Sequence, residues 1–259
     1  MIRPYSVGKS IIFRNASSRY ANRLPGRKED PMKMPTKARS IEKIVEEQIQ
    51  KWNVTRGKKE IDESVYPVVT ISREPGSGGR IIAERLAEKF NLDLFHQEMI
   101  HRMAESTKVS KQVLETLDEK GLNVLDNWIA SLVDSKHLWP DQYLKHLMKV
   151  ILTIGKHGRA VIVGRGANFI LSPESRFRVR VITPVETRIG NISRDYDVSA
   201  KIAKRRMIKT ESERRAFIRK YFYSDIGEPI KYDLLINTDT VSVENAVEAI
   251  GSAAGLKLG

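Results

Sequence analysis

Val68-Val69-Thr70-Ile71-Ser72, a run dominated by β-branched residues, leads into Pro75-Gly76-Ser77-Gly78-Gly79 and then into a stretch where Ile82, Leu86 and Phe90 recur every fourth position. The first reads as a buried parallel strand, the last as a helix, and the glycines as the turn between them. The pattern continues downstream. Ala160 to Val163 is a second buried strand ending in Gly164-Arg165-Gly166, Phe177 to Ile182 alternates as a third, and Leu234-Leu235-Ile236 is a last one. Between them lie a helical section from about Glu98 to Ile154, interrupted near Gly121 and Pro140, and a long basic helix from Ser199 to Tyr221. Strands alternating with helices imply a parallel α/β sheet with right-handed crossovers.

The formal charge of +13 is unevenly spread over the 259 residues. Residues 1–60 hold 15 Lys/Arg against 6 Asp/Glu, whereas residues 61–259 hold 30 against 26. The body is therefore only mildly basic, which weakens the case for nucleic acid as a partner. Three readings of the acid-free first 28 residues stay open: a disordered basic arm, a stretch upstream of a true start at Met32 or Met34, or a transit peptide. A secretory signal is excluded by the missing apolar segment, and no run approaches the roughly 18 apolar residues of a membrane helix. The absence of cysteine removes thiolate chemistry and fits a reducing, cytoplasmic interior. Ser40 to Trp52 reads as an amphipathic helix with Ser40 as N-cap and Ile41, Ile44, Val45, Ile49 and Trp52 on one stripe. That stripe either packs on the main domain or forms a homodimer contact. Thr55 to Ser64 reads as a linker. The expected organisation is an arm (1–38), a helix with linker (39–64) and an α/β domain (65–259).

The glycine turn is a candidate phosphate cradle. Glycine tolerates positive φ and lets an anion approach the backbone, and the amides of Gly76, Ser77, Gly78, Gly79 and Arg80 stand at the positive end of the following helix. In place of G-x-x-x-x-G-K-[ST] the chain has R-E-P-G-S-G-G-R, Arg73 to Arg80, followed by Ile82-Ala83-Glu84-Arg85-Leu86-Ala87. This segment resembles the cytidylate-kinase-like family, relatives of bacterial CMP kinases, many of which carry S-R-x-x-G-S-G-G. The resemblance implies a P-loop NTPase-type sheet flanked by helices, with a helical acceptor-binding insertion and a basic helical lid. Aligned on the helix, Gly79 stands where the P-loop lysine belongs and Arg80 where the magnesium-ligating Ser/Thr belongs. Arg73 or Arg80 is then the candidate to replace the lysine's charge.

The same resemblance distributes the other roles. Arg165, in Gly164-Arg165-Gly166, matches the arginine of a Gly-Arg-Asp that binds the acceptor's phosphate. His96 and Arg102 fall in the segment that binds the acceptor nucleotide, with His101 in a tyrosine's place. His96 and His101 are five apart, off the i, i+4 spacing of a helical metal pair, so no metal site is expected there. Glu186-Thr187-Arg188 resembles the Glu-x-Arg before the lid and places Arg188 on the substrate. Within the lid Arg206 and Arg214 are the expected inward pair. Asp233 and Thr238, beside the closing strand, are candidates for holding the fold. The implied activity is phosphoryl transfer from ATP, with Mg²⁺, to CMP or dCMP. The missing lysine leaves open a nucleotide-binding protein of weak or no turnover.

Overall fold

The structure is a computed structural model that describes residues 40–56, 67–135 and 140–257. The basic arm, residues 57–64 of the linker and the alternative starts lie outside them. Among the described residues one five-stranded sheet runs in the order β2-β3-β1-β4-β5, all neighbours parallel. Its strands are β1 (Val68–Arg73), β2 (Asp93–Phe95), β3 (Ala160–Val163), β4 (Arg176–Ile182) and β5 (Leu234–Asn237). β2, whose three residues give periodicity nothing to register, is the strand that pattern reading missed. β1 is central. Val69 faces Val161 of β3 and Phe177 of β4, so the glycine turn leaves from the middle of the sheet.

Two cores cover the two faces. Val69, Ile71, Val161, Val163, Val179 and Val181 pack on one side with α2 (Gly79–Phe90) and α10 (Val243–Ala253). On the other side lie α3 (Gln97–Glu105), α4 (Thr107–Leu114), α5 (Glu119–Ser135) and α6 (Gln142–His157), whose apolar faces form a second core with Val68, Phe95 and Ile162. This second face is polar where it approaches the strand ends. Alternation places Thr70 and Ser72 of β1 and Arg178 and Arg180 of β4 there, beneath the short α7 (Ala167–Ile170) and the helices α8 (Val185–Tyr196) and α9 (Ala200–Phe222).

The breaks in the helical section follow side-chain caps. Ser106 accepts the Val109 amide to start α4, and Asp141 accepts the Leu144 amide to start α6. The interruption expected near Gly121 falls just before it, between α4 and α5, and Gly121 itself lies in the first turn of α5, where Asp118 accepts its amide at 2.8 Å. Helix-initial glycine costs little because that turn is not yet propagating.

The N-terminal helix α1 (Ile41–Arg56) starts with Ser40 accepting the Lys43 amide. Its stripe packs within the chain. Val45 and Trp52 are buried, and Ile41 and Ile49 pack against the same core. Trp52 stacks on Phe95 (centroids 5.8 Å apart) and on His157 (4.4 Å, planes 6° apart). Ile44 alone of the stripe is exposed.

Candidate functional site

The turn between β1 and α2 is built around its carbonyls. Glu74 donates its amide to Val181 O, and its own carbonyl accepts both the amide and the hydroxyl of Ser77. Asn191 Nδ2 holds Gly76 O at 2.8 Å and Thr238 Oγ1 holds Ser77 O at 2.9 Å, which gives Thr238 its structural part. Gly76 and Gly78 take φ of 78° and 74°, and a Cβ on Gly76 would lie 2.6 Å from the Arg188 carbonyl oxygen. Glycine is required there on both counts. Gly78 caps α2 with no side chain, the first turn carries no acid, and the amides of Gly79, Arg80 and Ile81 precede the first intrahelical acceptor. An anion fits this end of the helix by charge and by access.

The Glu74 carboxylate lies beneath the turn. It accepts the Thr183 amide at 3.1 Å and stands 3.6 Å from Arg188 Nε and 3.9 Å from Arg180 Nη2. Arg180 is buried, donating to Ser72 Oγ at 2.7 Å, and Arg188 is equally buried, donating to Glu211 Oε2 of α9 at 2.9 Å. Buried guanidinium groups need acid partners, and these two share Glu74. Arg188, expected on the substrate, is thus engaged with the phosphate turn on one side and the lid on the other.

A cavity of about 220 Å³ opens where β1 ends, lined by Ser72, Arg73, Gln97, Arg165, Arg214 and Phe217 among others. Arg73 Nη2 donates to Gln97 Oε1 at 2.9 Å, and a Cβ on Gly164 would lie 2.6 Å from Arg73 Nη1. Arg165 sits at φ 52° between Gly164 (81°) and Gly166 (70°). Three successive left-handed residues turn the chain sharply after β3 and carry the Arg165 guanidinium to Gln97 O (3.4 Å) and to 5.6 Å from the Phe217 ring. Arg214, from α9, donates to the Arg73 carbonyl at 2.8 Å. Burial, then Arg214 and Arg165 among its neighbours, push the Arg73 guanidinium down to about 9. Arg214 is lowered too, by burial and by Arg180. Three cations crowded in a part-buried cavity repel one another, and an anion placed among them would relieve that repulsion.

The structure therefore brings Arg73, Arg165 and Arg214 together. It does not bring Arg80, Arg102 or Arg206 to them. Arg80 is exposed and bends along α2 to Glu84 Oε1 at 3.0 Å. Arg102 is exposed and 3.7 Å from Glu105. Arg206, expected to point inward with Arg214, is exposed with its guanidinium 5.2 Å from the Tyr196 ring. Eight residues of α-helix leave Arg206 about 80° around α9 from Arg214 and about 12 Å along the axis from it. His96 stands 3.6 Å from Glu84, and burial with Arg80 nearby lowers its pKa and favours the neutral ring.

Gln97, Asn168 and Phe217 were not anticipated. Phe217 had a readable signal: Thr210, Arg214, Phe217 and Ile218 all line the cavity and recur at helical spacing, marking one inward face of α9. Among the described residues no group of three or more His, Asp or Glu side chains could hold a metal ion, and no helix is long and apolar enough to cross a membrane.

Comparison with known proteins is consistent with this geometry. The family model described as "Cytidylate kinase-like family" matches residues 68–240. The cytidylate kinase of Methanocaldococcus jannaschii is 25% identical over 189 residues, covering 72% of this chain and 96% of the relative. The cytidylate kinase of Staphylothermus marinus is 28% identical over 184 residues, with 71% and 93% covered. Among solved structures, an uncharacterized protein from Eubacterium ventriosum superposes with a TM-score of 0.56 at 22% identity, covering 74% of this chain and 99% of that one, a likeness of fold.

Proposed function

We propose that this chain, which belongs to the cytidylate kinase-like family, is an ATP-dependent nucleoside-monophosphate kinase acting on CMP, dCMP or a related acceptor. The observation that carries the reading is the convergence of Arg73, Arg165 and Arg214 on one cavity that begins where the glycine turn begins. The capless start of α2 fits the phosphates of a donor such as ATP, which supplies the transferable phosphoryl group when bound. Arg165 and Arg73 would hold the acceptor's phosphate, and Arg214 would bring the lid's charge to the same place. Their work is positioning and electrostatic stabilisation of charge on the phosphoryl oxygens. The acceptor phosphate is itself the nucleophile, so no general base is needed. A cytoplasmic setting suits this chemistry.

Mg²⁺ does not fit a protein-held site here. Arg80 occupies the hydroxyl position, Ser77 Oγ is committed to Glu74 O, and the Glu74 carboxylate is shared between Thr183 N and two arginines. Mg²⁺ commonly reaches such sites on the substrate's own phosphates, and no protein ligand is needed for that.

One observation favours a second reading, a nucleotide-binding protein of little turnover: Arg80 is turned onto Glu84 and no lysine replaces it in the turn. Purified protein given ATP, Mg²⁺ and each NMP or dNMP separates the two when ADP formation and thermal stabilisation are both recorded. Turnover with a cytidine acceptor is expected. Stabilisation without turnover for every acceptor would leave only the second reading.

A further inference from the structure

A second cavity, of about 410 Å³, lies on the same face of the sheet but at the opposite end of β4 from the phosphate turn. Arg176 and Arg178 enter it from β4, two residues apart and so on one side of the strand, level with Val68 and Thr70 of β1. Lys231 comes from the segment before β5, and Ser224 from just past the end of α9, where Tyr223 takes φ 47° to end the helix. Asn168 of α7 lines this cavity and the acceptor cavity alike.

The lining is one-sided in charge. Arg176, Arg178 and Lys231 are cationic, and no carboxylate is among the described residues that form the wall. Two of the cations are paired with acids from outside it. Arg178 uses Nε and Nη2 on Asp233, and Lys231 stands 3.6 Å from Glu228. Arg176 donates to the backbone carbonyl of Leu171, a neutral partner, and burial and the neighbouring Arg178 push its pKa down to about 10. Two further polar groups at this wall have no hydrogen-bond partner, Asn168 Nδ2 and Ser224 Oγ, and Asn168 is 92% buried (8% exposed). Buried donors without acceptors are uncommon in folded proteins. Three cations and two unsatisfied polar groups around one space call for a ligand rich in oxygen acceptors and negative charge.

We propose that this cavity is a second anion site, built for a phosphate-bearing small molecule and separate from the acceptor cavity across the Asn168 wall. The site does not depend on whether the chain turns over. Because it touches the end of α9, its occupant would also brace the helix that carries Arg214.

Isothermal titration of the full chain with pyrophosphate in magnesium-free buffer tests this, with orthophosphate and ATP as parallel arms. Three sites are expected in the wild type: the start of α2, the acceptor cavity and this cavity. Arg165→Ala should weaken the acceptor-cavity class about tenfold, and Lys231→Ala should weaken this cavity's class about tenfold, as befits loss of one charged hydrogen bond. Arg176→Gln should do the same as Lys231→Ala; should it fail to fold for want of the Leu171 contact, the half-exposed Lys231 still carries the test. A stronger Lys231-dependent response to ATP than to orthophosphate assigns the site to nucleotides, and equal responses assign it to free phosphate. A Lys231→Ala titration superimposable on the wild type in all three arms, or loss of all binding in Arg165→Ala, would overturn the proposal.

Discussion

Arg73 concentrates the chemistry of the proposed acceptor site. Its guanidinium, held down to about 9, keeps its proton at neutral pH only against burial and the charges of Arg214 and Arg165. An unfolded chain keeps an arginine at its ordinary, higher value, so above about 9 the unfolded state binds the extra proton. The Arg73 contribution to stability therefore rises with pH above 9. Anion binding runs the other way, because it needs the charged form. Affinity for CMP should be flat from pH 7 to 8.5 and fall above pH 9, by up to about tenfold per unit. Arg73→Gln should bind at least tenfold more weakly at pH 7.5 and lose that slope. An unchanged slope in the variant would assign the titration elsewhere. Guanidinium beside a glycine turn marks Arg73 and Arg165 as phosphate candidates, whereas Arg214 is marked only by the resemblance of α9 to the family's lid. What arginine identity could not reveal was its partner. Arg80 and Arg188 carry the same side chain as Arg73, yet Glu84 claims one while Glu74 and Glu211 claim the other. Pairing is decided by distances across the fold, 3.6 Å between Glu74 and Arg188 being separated by more than a hundred residues of chain.

Elements were more legible than their contacts. The four strands read from β-branched runs and the α9 helix read from its length all form, since buried strands and long helices carry their pattern within one window. β2 escaped because three residues have no pattern; the α4–α5 break is legible near Gly121, with Asp118 supplying the hydrogen bond at the start of α5. For α1 the periodicity identified an apolar stripe without saying what covers it; the covering surface is Phe95 and His157. That docking has a pH signature. His157 lies against Trp52 with Nε2 2.8 Å from Thr116 Oγ1, and burial lowers its pKa from 6.5 to about 4. Between those values the unfolded chain takes up a proton that the folded one refuses, so stability is lost as pH falls through that window. The loss should reach at most about 3 kcal/mol, less for residual solvent around a half-buried ring. Urea denaturation at pH 7, 5.5 and 4.5 measures it. Trp52→Ala should lower stability by about 3–5 kcal/mol at pH 7 and flatten the acid loss, because a loosened α1 lets water reach the imidazole. A variant that keeps the full wild-type slope would show that the docked tryptophan does not set the histidine's burial.

At the scale of the molecule the sheet divides its labour by face. The α2/α10 side is continuous hydrocarbon, while the other side gives way near the strand ends to Thr70, Ser72, Arg178 and Arg180, and there α9 closes over charge. Near the glycine turn that helix is held by charged ties: Arg214 on the Arg73 carbonyl and Glu211 on Arg188, which in turn leans on Glu74 of that turn. Phe217 and Phe222 anchor it apolarly to the second core. Under the proposed function α9 is a lid, and admitting and releasing a nucleotide would break the charged ties while the aromatic end serves as its hinge. Glu211 is the tie that can be cut without touching the cavity. Its carboxylate is held low, desolvation being outweighed by Arg188 and Arg215. Glu211→Gln keeps shape and removes charge, and should cost about 1.5–3 kcal/mol, the range for hydrogen bonds to charged groups. Native-state hydrogen exchange localises the effect. Amides of α8 and α9, packed on each other through Ile192, Ala203 and Met207, should exchange faster by tenfold or more, whereas those of β1 and β3 should exchange at rates set by the smaller change in global stability. Equal acceleration in lid and sheet would mean that α9 opens only when the whole fold does, and the Glu74–Arg188–Glu211 chain would then be a fold-wide brace and not a latch.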